Sequence, residues 1–402
     1  MVRLASYNVE NLFARAKAMN TEVWSQGQPV LAAFERFNRL RQLESYTPAV
    51  KLQMIEDLLT MRVLVRTAHG RLVKQFVFDR QWTILRENRG DFLVERRATA
   101  ADPLRGVEIV ATGRADWTGW VELVTEPVDE IAEQMTARVI NELDADVLAV
   151  VEAENRPALL EFNARLLQDR YRHVMLVDGN DPRGIDVGLL TKRGFPILSV
   201  SSHVDDRDTE HTVVAKRDKR LFSRDAPAYR VDAGDGGEPL WVIVNHLKSQ
   251  SRTGDEPPDN LRTRQATRLA AIYRDLRQAG ATRIAMVGDF NRGPAADGMI
   301  APSLEALCGP GIDAVDVFSL AQFDIGTKPG TWQTCSLRNR LDYIFLSPAL
   351  ASAVTAGGVV RDGLWGAPTT KRRPTAWTAY PEITEARHAA SDHGAVWVNI
   401  DL

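Results

Sequence analysis

RIAMVGDFN, residues 283–291, is an apolar run that stops abruptly at a carboxylate and a carboxamide two positions apart. A strand's side chains repeat every second residue, so Asp289 and Asn291 leave the run on the same face. A plain turn explains that arrangement, and so does a site for a metal-bound phosphate. Working outward, other apolar runs end the same way: Asn8 after RLASY, Glu152 or Glu154 after DVLAVV, and His246 after PLWVIVN. Asp342 opens DYIFL, and Asp392-His393 precede GAVWVNIDL. Strand ends along one sheet edge are where α/β proteins place ligands.

From residue 129 onward the pattern alternates between strand and helix. DEIAEQMTARVINELD, ALLEFNARLLQD and NLRTRQATRLAAIYRDLRQAG have helical spacing, the last closing on Gly280 as a C-cap. HVMLVDG and IDVGLLTK are expected strands. Residues 14–128 differ. There Thr47-Pro48 starts a helix over KLQMIEDLLTMRVLV, and KQFVFDRQWTIL and DFLVERRAT flank Glu87-Asn88-Arg89-Gly90 as a hairpin. GVEIVATG and WTGWVELV add two more strands. The segments 250–260 and 361–390 are polar and Pro-bearing, and are expected to be mobile.

With 402 residues and a net charge of −3, the chain has no global basic footprint; only a local Arg-lined groove is left for binding a polyanion. Its two cysteines, Cys308 and Cys335, have no zinc-like spacing. No apolar run nears the roughly 20 residues that span a bilayer, and MVRLASYNVENLF lacks a leader's apolar core, so a cytoplasmic protein with no membrane partner is expected.

Taken singly, each polar strand end has a bland explanation. Asn8 and Asn291 suit turns. Glu152 suits a solvated terminus, His246 a satisfied core histidine, and Asp342 a salt bridge to Arg338 or Arg340. Together and in order, SYNVENLF, DADVLAVVEAEN, VNHLKS, VGDFN, RLDYIFLS and SDHGAVW resemble the successive motifs of the endonuclease/exonuclease/phosphatase (DNase I-like) superfamily, most closely its bacterial nuclease branch. The lipid-phosphatase wording is absent: Met286-Val287 precede GDFN, and no PAWCDR occurs.

The resemblance implies a four-layer α/β sandwich, two packed mixed β-sheets flanked by helices. Residues 1–13 and 129–402 would form the catalytic domain, with 14–128 an inserted α+β subdomain. It implies Mg²⁺ or Mn²⁺ held by Asn8, Glu152 and Asp392, which suits hard oxygen donors. It implies catalytic roles for His246, Asp289, Asn291, Asp342 and His393, with Asp342 fixing the tautomer of His393 and two near-neutral histidines doing acid–base work. Arg183 and Lys248 would contact substrate, Asp186 would orient His246, and Glu154-Asn155 stand as fallback ligands. The expected activity is metal-dependent phosphodiester hydrolysis of nucleic acid, DNA ahead of RNA. A phosphatase or phosphodiesterase on a small-molecule or lipid phosphate, or an inactive binding module, are the alternatives. In the insertion, nine Lys and Arg between 62 and 97 could line a groove with Trp82, Trp117 and Trp120 stacking on bases; a solvated cationic face over a tryptophan core is the favoured reading.

Overall fold

The unbroken apolar character of runs such as VLAVV and IAMV is what a strand buried on both faces requires. In the computed structural model these strands sit at the centre of two stacked sheets. The described residues are 1–10, 12–19, 21, 24–97, 106–181, 183–213, 219–251, 256–366 and 377–402. The expected mobility of 250–260 and 361–390 concerns segments whose residues 252–255 and 367–376 lie outside that set. The chain divides into two compact units, Met1–Phe13 with Val128–Leu402, and Ala14–Pro127.

In the larger unit the elements are β1 (Val2–Asn8), α1 (Glu130–Leu143), β2 (Val147–Ala153), α2 (Arg156–Leu166), β3 (His173–Val177), β4 (Asp186–Thr191) and β5 (Ile197–Ser201). There follow β6 (Ala228–Val231), β7 (Leu240–His246), α3 (Pro258–Gln278), β8 (Ile284–Asp289), β9 (Val315–Asp316) and β10 (Phe323–Asp324). The chain closes with β11 (Asp342–Leu346), α4 (Pro348–Ser352), β12 (Val354–Val360) and β13 (Ala395–Ile400). One sheet has the order β3-β4-β2-β1-β13-β12-β10, the other β5-β6-β7-β8-β11-β9. Both are mixed: β1 runs parallel to β2 and antiparallel to β13, and β8 runs parallel to β7 and antiparallel to β11.

Alternation along the strands assigns the layers. Leu4, Val147, Ala149, Val187 and Leu189 face Val242, Val244, Ala285, Val287 and Ile344 in one core between the sheets. The opposite faces, Ala5, Tyr7, Leu148 and Val150 on one side and Ile243, Met286 and Phe345 on the other, are packed by α1 and α2 and by α3. The result is the expected four-layer sandwich. Its helices start where the sequence signals them: Asp129 accepts from the Ile131 amide and Asn155 from the Ala158 amide. No helix among the described residues is long and apolar enough to cross a membrane.

The inserted unit has its own core of Phe34, Phe37, Met54, Leu58, Phe92 and Trp117, with Phe92 and Trp117 stacked 4.1 Å apart. Thr47 caps the helix Pro48–Thr60 as expected, but the helix ends there. Met61 is the C-cap, Arg62 adopts φ +57°, and Leu64–Arg66 is a strand. The expected hairpin around 87–90 does not form. Thr83–Arg89 pairs with Thr118–Leu123, and Leu93–Glu95 pairs with Val107–Ile109. The turn signal at Gly90 (φ +73°) is real, but it links two different ribbons instead of closing one.

Candidate functional site

All the polar strand ends arrive at one edge of the sandwich. Asn8, Glu152 and His246 are at or near the C-terminal ends of β1, β2 and β7. Asp289 ends β8 and lies in register with His246 on one side and Asp342 on the other. The antiparallel strands β11 and β13 begin at this same edge, which explains why Asp342 and Asp392-His393 precede their apolar runs. The two sheets meet here, with the Asn8 carboxamide 3.4 Å from Asp289 Oδ2.

Backbone geometry aims these groups. Gly288 has φ +130°, and a Cβ there would lie 2.0 Å from the Asn245 carbonyl oxygen on β7. Only glycine allows that approach, which brings His246 beside Asp289. Glu152 and Asn291 are not glycine, yet both sit in the left-handed region, at φ +64° and +55°. Such conformations cluster where the surroundings hold a side chain for a purpose. At Glu152 the β2–β4 register slips between Val151 and Ala153, turning its carboxylate out of the strand alternation.

Asp289 is the shared member of two groups of close donor atoms, Glu152–His246–Asp289 and Asp289–Asp342–His393. Its Oδ2 is 3.7 Å from His246 Nε2 and 3.9 Å from His393 Nε2. Its Oδ1 accepts from the Asn291 amide at 2.7 Å, and the Asn291 carboxamide reaches Oδ2 at 3.1 Å. Burial pushes Asp289 up to about 7, with His393 opposing and the Asp342 and Glu152 charges adding to the rise. Three carboxylates thus face a deficit of positive charge, and hard oxygen donors around such a deficit suit a divalent cation. Glu152 and Asp289 fit that role; the Asn8 carboxamide turns its Nδ2 donor toward Asp289, and its oxygen accepts from the Glu10 amide at 3.0 Å.

The two histidines are driven apart, His393 upward and His246 downward, where both were expected to titrate near neutral pH. His393 Nδ1 is 2.8 Å from Asp342 Oδ2. Burial alone would lower His393, but Asp342 and Asp392 outweigh it and hold the imidazole protonated well above its usual range. Asp342 is itself fixed by the Thr331 hydroxyl, which accepts from the Leu341 and Asp342 amides. His246 is the reverse case. Burial pushes it well below its usual range, and the adjacent Arg224 cation pushes it further.

Sequence reasoning missed Arg224. It is buried, its Nε lies 3.1 Å from His246 Nδ1 and its Nη2 2.6 Å from Nε2. On its far side Nη1 is 3.5 Å from Asp181, which Arg183 grips with Nε at 2.9 Å and Nη2 at 2.6 Å. The residues Arg183, Asp181, Arg224 and His246 form a chain that runs inward from half-buried Arg183 to buried His246, and the two guanidinium groups hold Asp181 at about 2 against the effect of burial. The signal was weak because Arg224 stands in the loop before β6 and not at the polar stop of an apolar run.

The remaining expected positions differ in their surroundings. Asp392 belongs to neither donor group; the Trp332 indole donates to its Oδ2 at 2.7 Å, and its Oδ1 is 3.7 Å from His393 Nε2. Lys248 bends its ammonium toward the Ser249 hydroxyl and the Ser251 carbonyl, at 3.3 and 3.2 Å, and its charge is felt at His246. Asp186 does not orient His246. Its Oδ1 accepts from the Gly179 amide, and Arg224 occupies the place beside the imidazole. Glu154 accepts from the Phe13 amide and Asn155 caps α2, so neither joins the donor groups.

The model of the endonuclease/exonuclease/phosphatase family matches residues 132–393. Among solved structures, the chain is similar to the mannosyl-6-phosphatase Bt3783 of Bacteroides thetaiotaomicron at 16% identity, covering 68% of this chain and 92% of that one, with a TM-score of 0.47. It is similar to truncated TDP2 of Caenorhabditis elegans at 15% identity, with 68% and 92% covered and a TM-score of 0.45. The human Nocturnin catalytic domain with bound sulfate anion is 16% identical, with 68% and 86% covered and a TM-score of 0.44. No match was found among curated proteins. On the family match over 132–393, the chain belongs to the endonuclease/exonuclease/phosphatase family, whose members hydrolyse phosphoesters.

Proposed function

We propose that this protein is a divalent-metal-dependent phosphodiesterase that cuts nucleic acid, DNA ahead of RNA, by in-line attack of water. The observation that carries the reading is the sharing of Asp289 between the Glu152–His246 side and the Asp342–His393 side. A phosphate seated between them meets the imidazolium of His393 on one side and the neutral His246, backed by Arg224, on the other. His393 donates a proton or a hydrogen bond to a phosphate oxygen, and Asp342 keeps it oriented for that task. Asp289, held by Asn291, accepts from the attacking water. Asn8 and Asn291 steer phosphate oxygens by hydrogen bonding. Glu152 and Asp289, with Asn8 beside them, would hold a Mg²⁺ or Mn²⁺ ion, which would neutralise charge on the phosphate. In this reading Asp392 acts through His393, and residues 1–13 with 129–402 form the catalytic domain that carries 14–128 as an insertion.

The test is hydrolysis of single- and double-stranded DNA, RNA, bis-(p-nitrophenyl) phosphate and p-nitrophenyl phosphate with Mg²⁺, Mn²⁺ or EDTA. Cleavage of DNA and of the diester that EDTA stops is the expected result. Release of inorganic phosphate from the monoester with DNA and RNA both left intact overturns the nucleic-acid assignment.

A further inference from the structure

His393 Nε2, the ring nitrogen turned away from Asp342, has two carboxylates near it and a hydrogen bond to neither. Asp289 Oδ2 lies 3.9 Å away and Asp392 Oδ1 3.7 Å. Both stand beyond the roughly 3.2 Å reach of an N–H···O bond, so the Nε2–H keeps a free direction for a phosphate oxygen. Asp289 holds its distance because it is buried and Asn291 engages both its oxygens. Asp392 has no such burial: its side chain is 36% exposed.

A carboxylate that can turn toward an imidazolium closes on it, to a charge-assisted bond of about 2.7–2.9 Å. The backbone of Asp392 is pinned: its amide donates to Glu10 Oε2 at 3.0 Å and its carbonyl accepts from the Gln333 amide at 2.8 Å. Rotation about its side-chain bonds is the freedom that remains, and a change of rotamer is enough to cover the gap to Nε2. Trp332 opposes that rotation. Its indole N–H donates to Asp392 Oδ2 at 2.7 Å. The indole is a donor without charge, so it grips the carboxylate without neutralising it.

The chain holds Trp332 firmly. Its amide donates to the Asn339 carbonyl at 2.9 Å, and it pairs with His393 in an isolated antiparallel bridge, so one backbone pairing sets both indole and imidazole. Gln333 and Cys335 are not glycine, yet stand at φ +46° and +52°. Such backbone persists where its surroundings over-determine it. Here Arg361, itself buried, directs its guanidinium to the Gly330 and Lys328 carbonyls at 2.8 and 2.6 Å. The neighbouring Thr331 serves the other ring nitrogen, its hydroxyl accepting from the Asp342 amide at 3.1 Å. Consecutive residues thus fix both partners of the imidazole, Thr331 through Asp342 at Nδ1 and Trp332 through Asp392 at Nε2.

We infer that Trp332 is a positioning residue that tethers Asp392 at a stand-off from His393, so that the Nε2–H stays open for the phosphate. The inference rests on the proposed phosphodiesterase reading, in which His393 donates to a phosphate oxygen. It gives the indole N–H a task that an aromatic ring alone cannot perform. Phenylalanine at this position would fill the space and release the carboxylate.

The test is a double-mutant cycle in the full chain, read by steady-state kinetics on bis-(p-nitrophenyl) phosphate with Mg²⁺ or Mn²⁺. Trp332→Phe is expected to lower kcat about tenfold with KM unchanged and the thermal midpoint within a few degrees of wild type. Asp392→Ala removes the group that would close on Nε2, so adding Trp332→Phe to it costs nothing further and the double variant matches Asp392→Ala alone. Asp392→Glu leaves Trp332 in place and lengthens the tethered arm by one CH₂, enough to close the gap, and should lose kcat in the same way. A tenfold loss from Trp332→Phe in both backgrounds overturns the tether, because the indole then acts independently of Asp392. Wild-type kcat in Trp332→Phe or in Asp392→Glu also overturns it, as does a Trp332→Phe effect carried by KM alone, which would mark a direct substrate contact. Each of those results leaves the proposed activity standing. A wild-type protein that hydrolyses no phosphodiester overturns both readings.

Discussion

Arg224 lies against His246 with Nη2 2.6 Å from Nε2, and this buried cation adds to the larger effect of burial, which pushes the imidazole well below its usual range. A neutral His246 cannot deliver a proton, so its value lies in accepting or relaying hydrogen bonds beside a guanidinium that attracts phosphate. Replacing Arg224 with Lys keeps one charge and loses the planar fork that spans Asp181 and His246. The expected outcome for Arg224→Lys is a fall in kcat/KM of about tenfold or more, roughly 1.4 kcal/mol, with the thermal midpoint shifted by only a few degrees. Steady-state kinetics on the diester together with a melting curve checks it.

The His393–Asp342 pair predicts a pH signature. A group that must stay protonated to donate loses activity as pH rises through its folded pKa. Asp342 raises that pKa, so wild-type activity should persist well into the alkaline range on this account. Asp342→Asn removes the charge and moves the alkaline fall to lower pH, with kcat reduced about a hundredfold by the lost orientation. His393→Ala should cost about a thousandfold or more and abolish that limb of the profile. A pH profile of kcat/KM for the three proteins decides the matter; an unmoved limb in Asp342→Asn refutes the assignment.

Gly288→Ala tests the packing that assembles the edge. The added methyl collides with the Asn245 carbonyl, and φ +130° is unfavourable for any side chain. Strand β8 must then move away from β7, separating Asp289 from His246. We expect a loss of about 3 kcal/mol or more, read from the denaturant midpoint, with activity lost in whatever folds.

Much of this was legible in the sequence because apolar runs record burial and their polar stops record the sheet edge. The run ending at Asn8 and the one ending at Asp289 became neighbours, although 281 residues separate them. Position along the chain could not show which stops would meet. Glu152 and Glu154 are equivalent as text, and only the left-handed turn at Glu152 and the Phe13 amide on Glu154 separate them. Arg224 stayed hidden because its partners, Asp181 and His246, come from other loops and strands. The hairpin at 87–90 failed because a turn signal specifies a local bend and says nothing of which strands pair afterwards.

Asp186 supplies a final prediction, about stability. It is buried at the start of β4, its Oδ1 accepts one backbone amide, and Oδ2 has no partner among the described residues. Burial raises it to about 7, with Asp178 and Asp181 adding to the effect. In the unfolded chain this carboxyl ionises near its ordinary value of 3.8. Between those values the folded state binds more protons than the unfolded state, so stability falls as pH rises from about 4 to 7. Above 7 the whole penalty is present. Asp186→Asn removes the ionisation and keeps the shape, so it should be more stable than wild type at pH 8 by about 2 kcal/mol. At pH 4.5 the two should differ little. Urea denaturation at the two pH values measures this, and a variant equally or less stable than wild type at pH 8 would show that the carboxylate is compensated where it sits.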